Sequence, residues 1–230
     1  MQDRWYEIWN RRNADTSNAI RLQDLITLDG FDSGAGKIEL DDWREYAGRV
    51  TDIIGLKDGD SVYEVGCGSG AFLYALCEHA SLKVGGNDYG IGLIKTAQRV
   101  FPNSDFQCIE ATKINPETPY DCVISNSVFQ YFSLDYAREV LSRMLDKARH
   151  SVCVLEVPDF KTKSQAERFR RDIFSPEEYE KKYLGLRHTY YDRDWFAEIA
   201  AERGLHCETF DGCVPNYLQN KFRFGCLILK

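Results

Sequence analysis

From residue 60 onward, short apolar runs alternate with segments whose apolar residues recur every three or four positions. The runs at 61–66, 82–87, 105–109, 120–126 and 150–157 are rich in Val, Ile and Cys and lack the in–out alternation of a half-exposed strand. They predict strands covered on both faces. The segments between them, at 70–79, 91–100 and 134–147, carry helical spacing. Alternation of this kind predicts an α/β fold: a doubly wound, mostly parallel sheet with right-handed crossovers. Past residue 160 the pattern changes to a charged, partly helical stretch, followed by a helix at 193–203 and strands at 205–211 and 222–229. Two closing strands without a helix between them predict an antiparallel pair at one edge. Ahead of the alternation, residues 1–40 show little periodicity, and a helix is predicted over about 41–55 with Asp41 or Asp42 as its cap.

Composition narrows the class. With 230 residues, 43% hydrophobic and 13% aromatic, the chain can bury a substantial core. No apolar run approaches the roughly 20 residues of a membrane span, and the start of the chain lacks the apolar stretch of a secretory signal; a cytoplasmic protein without membrane partners is expected. The net charge of −7 argues against stable nucleic-acid binding, which needs a basic footprint. Eight cysteines form no CxxC pair and several sit inside apolar runs. They are expected to be buried, reduced thiols rather than metal ligands, and no metal site is expected.

The stretch Val62-Tyr63-Glu64-Val65-Gly66-Cys67-Gly68-Ser69-Gly70-Ala71-Phe72-Leu73 carries the most chemistry. An apolar strand ends in a carboxylate, passes three alternating glycines and enters a helix. Glycines there let a ligand lie against bare backbone at the carboxyl end of a strand. Glu64 adds a negative charge that suits a ligand carrying a cation, which points to S-adenosylmethionine (SAM) rather than a nucleoside triphosphate. Asp88 follows 24 positions later at the end of the second strand, where an acid can accept hydrogen bonds from ribose hydroxyls; a simple turn Asp is the alternative. The run Asp32-Ser33-Gly34-Ala35-Gly36-Lys37 is no P-loop: Phe31 stands where the first glycine is required and Ile38 where the metal-binding hydroxyl would be.

These motifs, in this order, resemble class I SAM-dependent methyltransferases over about residues 42–230. The loop from Glu64 to Gly70 resembles the family's first motif, and Gly85-Gly86-Asn87-Asp88-Tyr89 its second acidic strand end. Glu110-Ala111 is similar to the position after the third strand, and Tyr120 to Phe129 to the fourth strand and its exit loop. The resemblance implies a seven-stranded sheet whose last strand is antiparallel, an N-terminal helical lid at 1–45, and a methyltransferase domain at 46–230 with an acceptor-site insertion at about 160–190. It implies that Gly66, Cys67, Gly68 and Gly70 receive the donor's methionine portion and ribose, that Glu64 holds its α-amino group and Asp88 its ribose. Tyr89, Glu110 and Ala111 would flank the adenine, and Asn126 and Ser127 would face the methionine portion and the acceptor. S-adenosylhomocysteine (SAH) would be the product.

The acceptor is less legible. His188 and Tyr131 are the candidate catalytic residues, with a structural histidine and a packed aromatic as the alternatives. Residues 160–193 hold nine Lys or Arg against six acids, a net of +3, which suits an anionic acceptor or is a solvated helix face. Trp5, Tyr6, Trp9 and Trp43 either cover the cofactor or pack the N-terminal appendage. The run Ser125-Asn126-Ser127-Val128 replaces the family's Asn/Asp-Pro-Pro-aromatic signature, so a nucleobase amine is not expected. A small molecule methylated at oxygen or nitrogen, possibly anionic, is the leading expectation for a monomer or homodimer. A protein acceptor and a nicotinamide-dependent oxidoreductase, whose fingerprint Gly66-x-Gly68-x-x-Ala71 also satisfies, are the alternatives.

Overall fold

The computed structural model describes residues 4–12, 20–32, 36–183, 186 and 188–230. Its centre is a sheet of β1 (Ser61–Val65), β2 (Lys83–Asp88), β3 (Asp105–Cys108), β4 (Tyr120–Asn126), β5 (Ala148–Pro158), β6 (His206–Asp211) and β7 (Arg223–Leu229), in the order β3-β2-β1-β4-β5-β7-β6. Strands β1 to β5 run parallel, and β7 pairs antiparallel with both β5 and β6. The strand order reverses between β1 and β4, so the first βα turn opens at the crevice where open sheets of this kind bind ligands.

Helices cover both faces. On one side lie α1 (Arg4–Asn10), α2 (Leu22–Leu28), α3 (Leu40–Ile54), α4 (Ala71–Cys77) and α5 (Ile91–Val100). Leu25, Trp43, Ala47, Leu73 and Ile94 pack there against Val62, Ile124 and Cys153. On the other side, α6 (Leu134–Lys147) and α9 (Arg193–Ala201) pack Val140, Leu141 and Phe196 against Tyr63, Val123, Val154 and Phe224. This two-sided burial is why the central strands read as continuous apolar runs. The edge strand β6 is mostly exposed and carries His206, Glu208 and Asp211, charges that discourage pairing with another sheet.

Every strand and helix expected from the pattern lies within two residues of its predicted ends. Three details differ. The N-cap of α3 is Glu39; Asp41 and Asp42 sit in its first turn, where they favour the helix dipole without capping. Helix α2 is an addition to the expected elements: Leu22, Leu25 and Ile26 have the right spacing but span under two turns, and all three are buried in the main core. Cys108 is exposed, against expectation, whereas Cys67, Cys122, Cys153 and Cys226 are buried, and all eight are free thiols. The charged stretch forms α7 (Lys163–Asp172) and α8 (Pro176–Tyr183), and α7 buries only Ala166. Ser33, Gly34, Ala35 and Arg187, and the side chains of Trp5, Tyr6, Lys181 and Lys182, lie outside the described residues. Among the described residues no helix is long and apolar enough to cross a membrane.

Candidate functional site

At the end of β1 the chain turns on Gly66 and Cys67, whose N–H groups both donate to Asn87 O, at 2.8 and 2.9 Å. The turn has no room for side chains. A Cβ on Gly66 would lie 2.5 Å from Val128, and one on Gly68 would lie 2.4 Å from Asp29 Oδ1. Both residues also have positive φ, which penalises any L side chain. Gly70 differs: it faces Ala97 of α5 and Phe101 just past that helix, and it does not line the cavity described below.

Three carboxylates surround this loop. Glu64 is only 2% exposed, and its Oε2 has no hydrogen-bond partner. Burial, reinforced by the nearby charges of Asp29 and Asp88, pushes its carboxyl well up from the ordinary range. Asp88 accepts from Gly68 N at 3.1 Å and from Gly90 N at 2.7 Å; burial still raises it to about 6. Asp29 does not stand out in the sequence, yet it accepts from Ser69 N at 2.7 Å and Ala71 N at 3.3 Å, at the start of α4. Its carboxyl is pushed up to about 7, burial outweighing the backbone donors. Asp29 comes from the N-terminal segment, 40 positions before Ser69. No local pattern marks it, because its role arises only when α2 packs on α4. The Cys67 thiol beside the acids is pushed up by burial, which leaves it unreactive.

These groups form one wall of a cavity of about 960 Å³. That is near the top of the roughly 300–1,000 Å³ range of small-molecule sites, which leaves room for two small ligands side by side. Tyr89, Glu110 and Ala111 line one flank, with Glu110 Oε2 accepting from Tyr136 Oη at 3.2 Å. Asn126 and Ser127, at the end of β4, line the middle. Asn126 Oδ1 accepts from the buried Tyr46 Oη at 3.0 Å, and Ser127 is held at φ 60, a strained conformation of the kind that collects at functional sites. Trp43 is 1% exposed and packs with Phe31, Tyr46 and Phe72, so it belongs to the core as well as to the wall.

Other parts of the lining are chemically different. Trp9, Tyr131, His188, Arg170 and Arg223 belong to them, and Tyr131 meets both Trp9 and His188 edge-on. Arg170 Nη1 lies 3.0 Å from His188 Nδ1. A guanidinium only donates, so Nδ1 accepts and the ring hydrogen sits on Nε2. Burial and the two arginines hold the imidazole well below its ordinary pKa. His188 is therefore a neutral imidazole whose Nδ1 is occupied by Arg170, which weighs against the general-base role considered for it. His79 and His150 lie elsewhere, bonded to Arg44 O at 2.8 Å and beside Asp121 at 3.7 Å.

The structure thus brings Glu64, Gly66, Cys67, Gly68, Asp88, Tyr89, Glu110, Ala111, Asn126, Ser127, Tyr131 and His188 to one cavity. Residues 62–150, which include the acidic wall and the exit of β4, match the family model described as methyltransferase domain. The chain carries a SAM-dependent methyltransferase domain. Solved structures agree with this on the fold. The magnesium protoporphyrin IX methyltransferase ChlM of Synechocystis PCC 6803, with bound SAH, is 16% identical, with 98% of this chain and 94% of that one covered and a TM-score of 0.62. DesVI of Streptomyces venezuelae is 14% identical over 92% and 99% of the two chains, with a TM-score of 0.61. A putative methyltransferase in complex with the Trm112 activator of Haloferax volcanii is 15% identical over 92% and 98%, with a TM-score of 0.64. None of the curated proteins compared with the chain matches it. With SAM as the cofactor of a methyltransferase domain the dinucleotide alternative falls away. The buried, unpartnered oxygen of Glu64 and the bare backbone at Gly66 and Gly68 fit SAM, which brings a cation to an acidic wall.

Proposed function

We propose that this methyltransferase moves the methyl group of SAM to an oxygen or nitrogen of a small-molecule acceptor held at the Trp9–His188 part of the cavity. The observation that carries this reading is the mixed lining of one cavity, with acids at the glycine loop and aromatic and basic groups elsewhere in the same wall. When bound, the donor supplies an already activated methyl on a sulfonium, so the protein mainly has to position two reactants. Glu64 holds the α-ammonium by a charge-assisted contact. Asp88, fixed by two backbone N–H groups, orients the ribose hydroxyls. Tyr89, Glu110 and Ala111 bracket the adenine, and the backbone of Gly66 to Gly68 with Asn126 and Ser127 receives the methionine portion. Tyr131 and His188, both in the cavity wall, shape the acceptor's place. The enzyme acts as a monomer or homodimer and needs no metal.

Calorimetric titration of SAM and, separately, NADH tests the donor site: SAM binds, NADH does not, and Asp88→Ala lowers SAM affinity. NADH binding in place of SAM would overturn the donor assignment. SAH release is then measured with panels of small hydroxy, carboxy and amino compounds and with peptides. Turnover confined to the peptides would replace the small-molecule reading with a protein methyltransferase.

A further inference from the structure

The acceptor part of the cavity contains a buried cation whose protein partners are all neutral. Arg223, at the start of β7, is 7% exposed and lines the cavity. Its Nη1 donates to Gln130 Oε1 at 2.6 Å and to Glu156 O at 3.2 Å, and its Nη2 to Gln219 Oε1 at 3.3 Å. Three of the five guanidinium N–H donors are thereby spent on uncharged acceptors. The nearest acid, Glu156, turns its backbone carbonyl to Arg223, and its side chain forms no ion pair with it among the described residues. Glu156 sits at a bulge in β5 with φ 56, and burial raises its carboxyl to about 7 even though Arg223 opposes this. A second guanidinium, that of Arg170 on α7, lines the same cavity; it donates to the neutral His188 and to Tyr190 Oη. A buried charge in a protein is normally paired, whereas Arg223 meets only neutral acceptors, and the fork of a guanidinium matches the geometry of a planar oxyanion.

Resting on the methyltransferase reading above, we propose that Arg170 and Arg223 form an anion clamp and that the methyl acceptor is an organic anion bearing a carboxylate or a phosphate ester. Gln130 and Gln219 are positioning residues that aim Arg223, and His188 holds Arg170 through Nδ1. The clamp draws its parts from the 3₁₀ turn after β4, from α7, from the stretch before α9 and from β7, so it exists only in the folded chain. It also gives the charged insertion a specific role, since α7 delivers one cation inward while its other basic side chains remain in solvent.

The test is calorimetric titration of benzoate, phenyl phosphate and their uncharged counterparts benzamide and phenol into the SAH-saturated full chain. The expected result is that an anion binds and the neutral compounds bind at least about tenfold more weakly. Arg170→Gln should weaken the anion about tenfold while still binding SAH. Arg223→Gln should do the same, and Arg223→Lys, which keeps the charge and loses the fork, should fall between. Thermal melting followed by circular dichroism checks that the Arg223 variants fold; Arg170, half-buried on α7, decides the matter if they do not. Tighter binding of benzoate assigns a carboxylate and tighter binding of phenyl phosphate a phosphate ester. Equal binding of benzoate and benzamide, no binding of either anion, or undiminished anion binding by Arg170→Gln overturns the clamp. Failure of the wild type to bind SAH overturns the donor reading instead, and the same titrations into ligand-free protein then judge the clamp separately.

Discussion

Glu64 and Asp29 are both acids beside the glycine loop, but they differ in what surrounds them. Glu64 has a buried oxygen without a partner, whereas Asp29 is satisfied by Ser69 N and Ala71 N. Glu64→Gln keeps the shape and removes the charge, so it should weaken SAM binding about tenfold to a hundredfold, the worth of one charge-assisted hydrogen bond of roughly 1.5–3 kcal/mol. It should leave folding intact, since no protein group depends on that oxygen. Calorimetry on the variant decides this, and unchanged affinity would remove Glu64 from the donor site. Asp29→Asn has a different expected signature: its single amide oxygen keeps the short contact from Ser69 N but the one from Ala71 N is lost, so stability falls by about 1 kcal/mol, while SAM affinity loses part of its pH dependence. The first of these residues is legible in the sequence, because a carboxylate before alternating glycines is a local pattern. The second is not, because its place is set by packing between segments 40 residues apart.

The same division holds for elements. Strands β1, β4 and β5 are legible because each contains a short apolar run, and because covering on both faces suppresses the alternation of a half-exposed strand. Helix α2 is not, since seven residues give too little periodicity to stand out. Yet Leu25 and Ile26 are fully buried against the face formed by α3 and α4. Leu25→Ala should therefore cost about 2–5 kcal/mol, the usual range for a core truncation, read as a lower denaturant midpoint with an unchanged slope. A cost below about 1 kcal/mol, the scale of surface substitutions, would mean that the segment carrying Asp29 is a detachable lid rather than part of the core. Arg170 is legible only as a member of a basic count and Arg223 not at all; their convergence needs the bulge in β5 and the return of β7 beside it.

For the whole molecule, the acids that suit a cationic donor are a burden when none is bound. Asp29, Asp88 and Glu156 have carboxyls raised to about 7, 6 and 7 by burial, and Glu64 is raised as well. A carboxyl raised in the folded state binds its proton more tightly there than in the unfolded chain. Its contribution to stability is full below the ordinary carboxylate range and is lost as pH rises through the folded value. The ligand-free enzyme should thus melt several degrees higher at pH 5 than at pH 8. Asp121, held below its ordinary value by Ser61 and Arg149, works in the opposite direction but only as pH falls through the more acidic range, so it leaves that window untouched. Asp29 and Asp88 are only half-buried and keep some contact with cavity solvent, which sets the effect at degrees rather than tens of degrees. SAM brings positive charge to the same wall, favours the ionised acids and flattens the profile. Its binding must then release protons below about pH 7, and its affinity must rise with pH up to that point. Melting curves from pH 5 to 8 with and without SAM, together with calorimetry in buffers of different ionisation enthalpy, measure both sides of this linkage. A ligand-free melting point that climbs steadily from pH 5 to 8, with no proton release on SAM binding, would show that the acidic wall is already ionised in the empty enzyme.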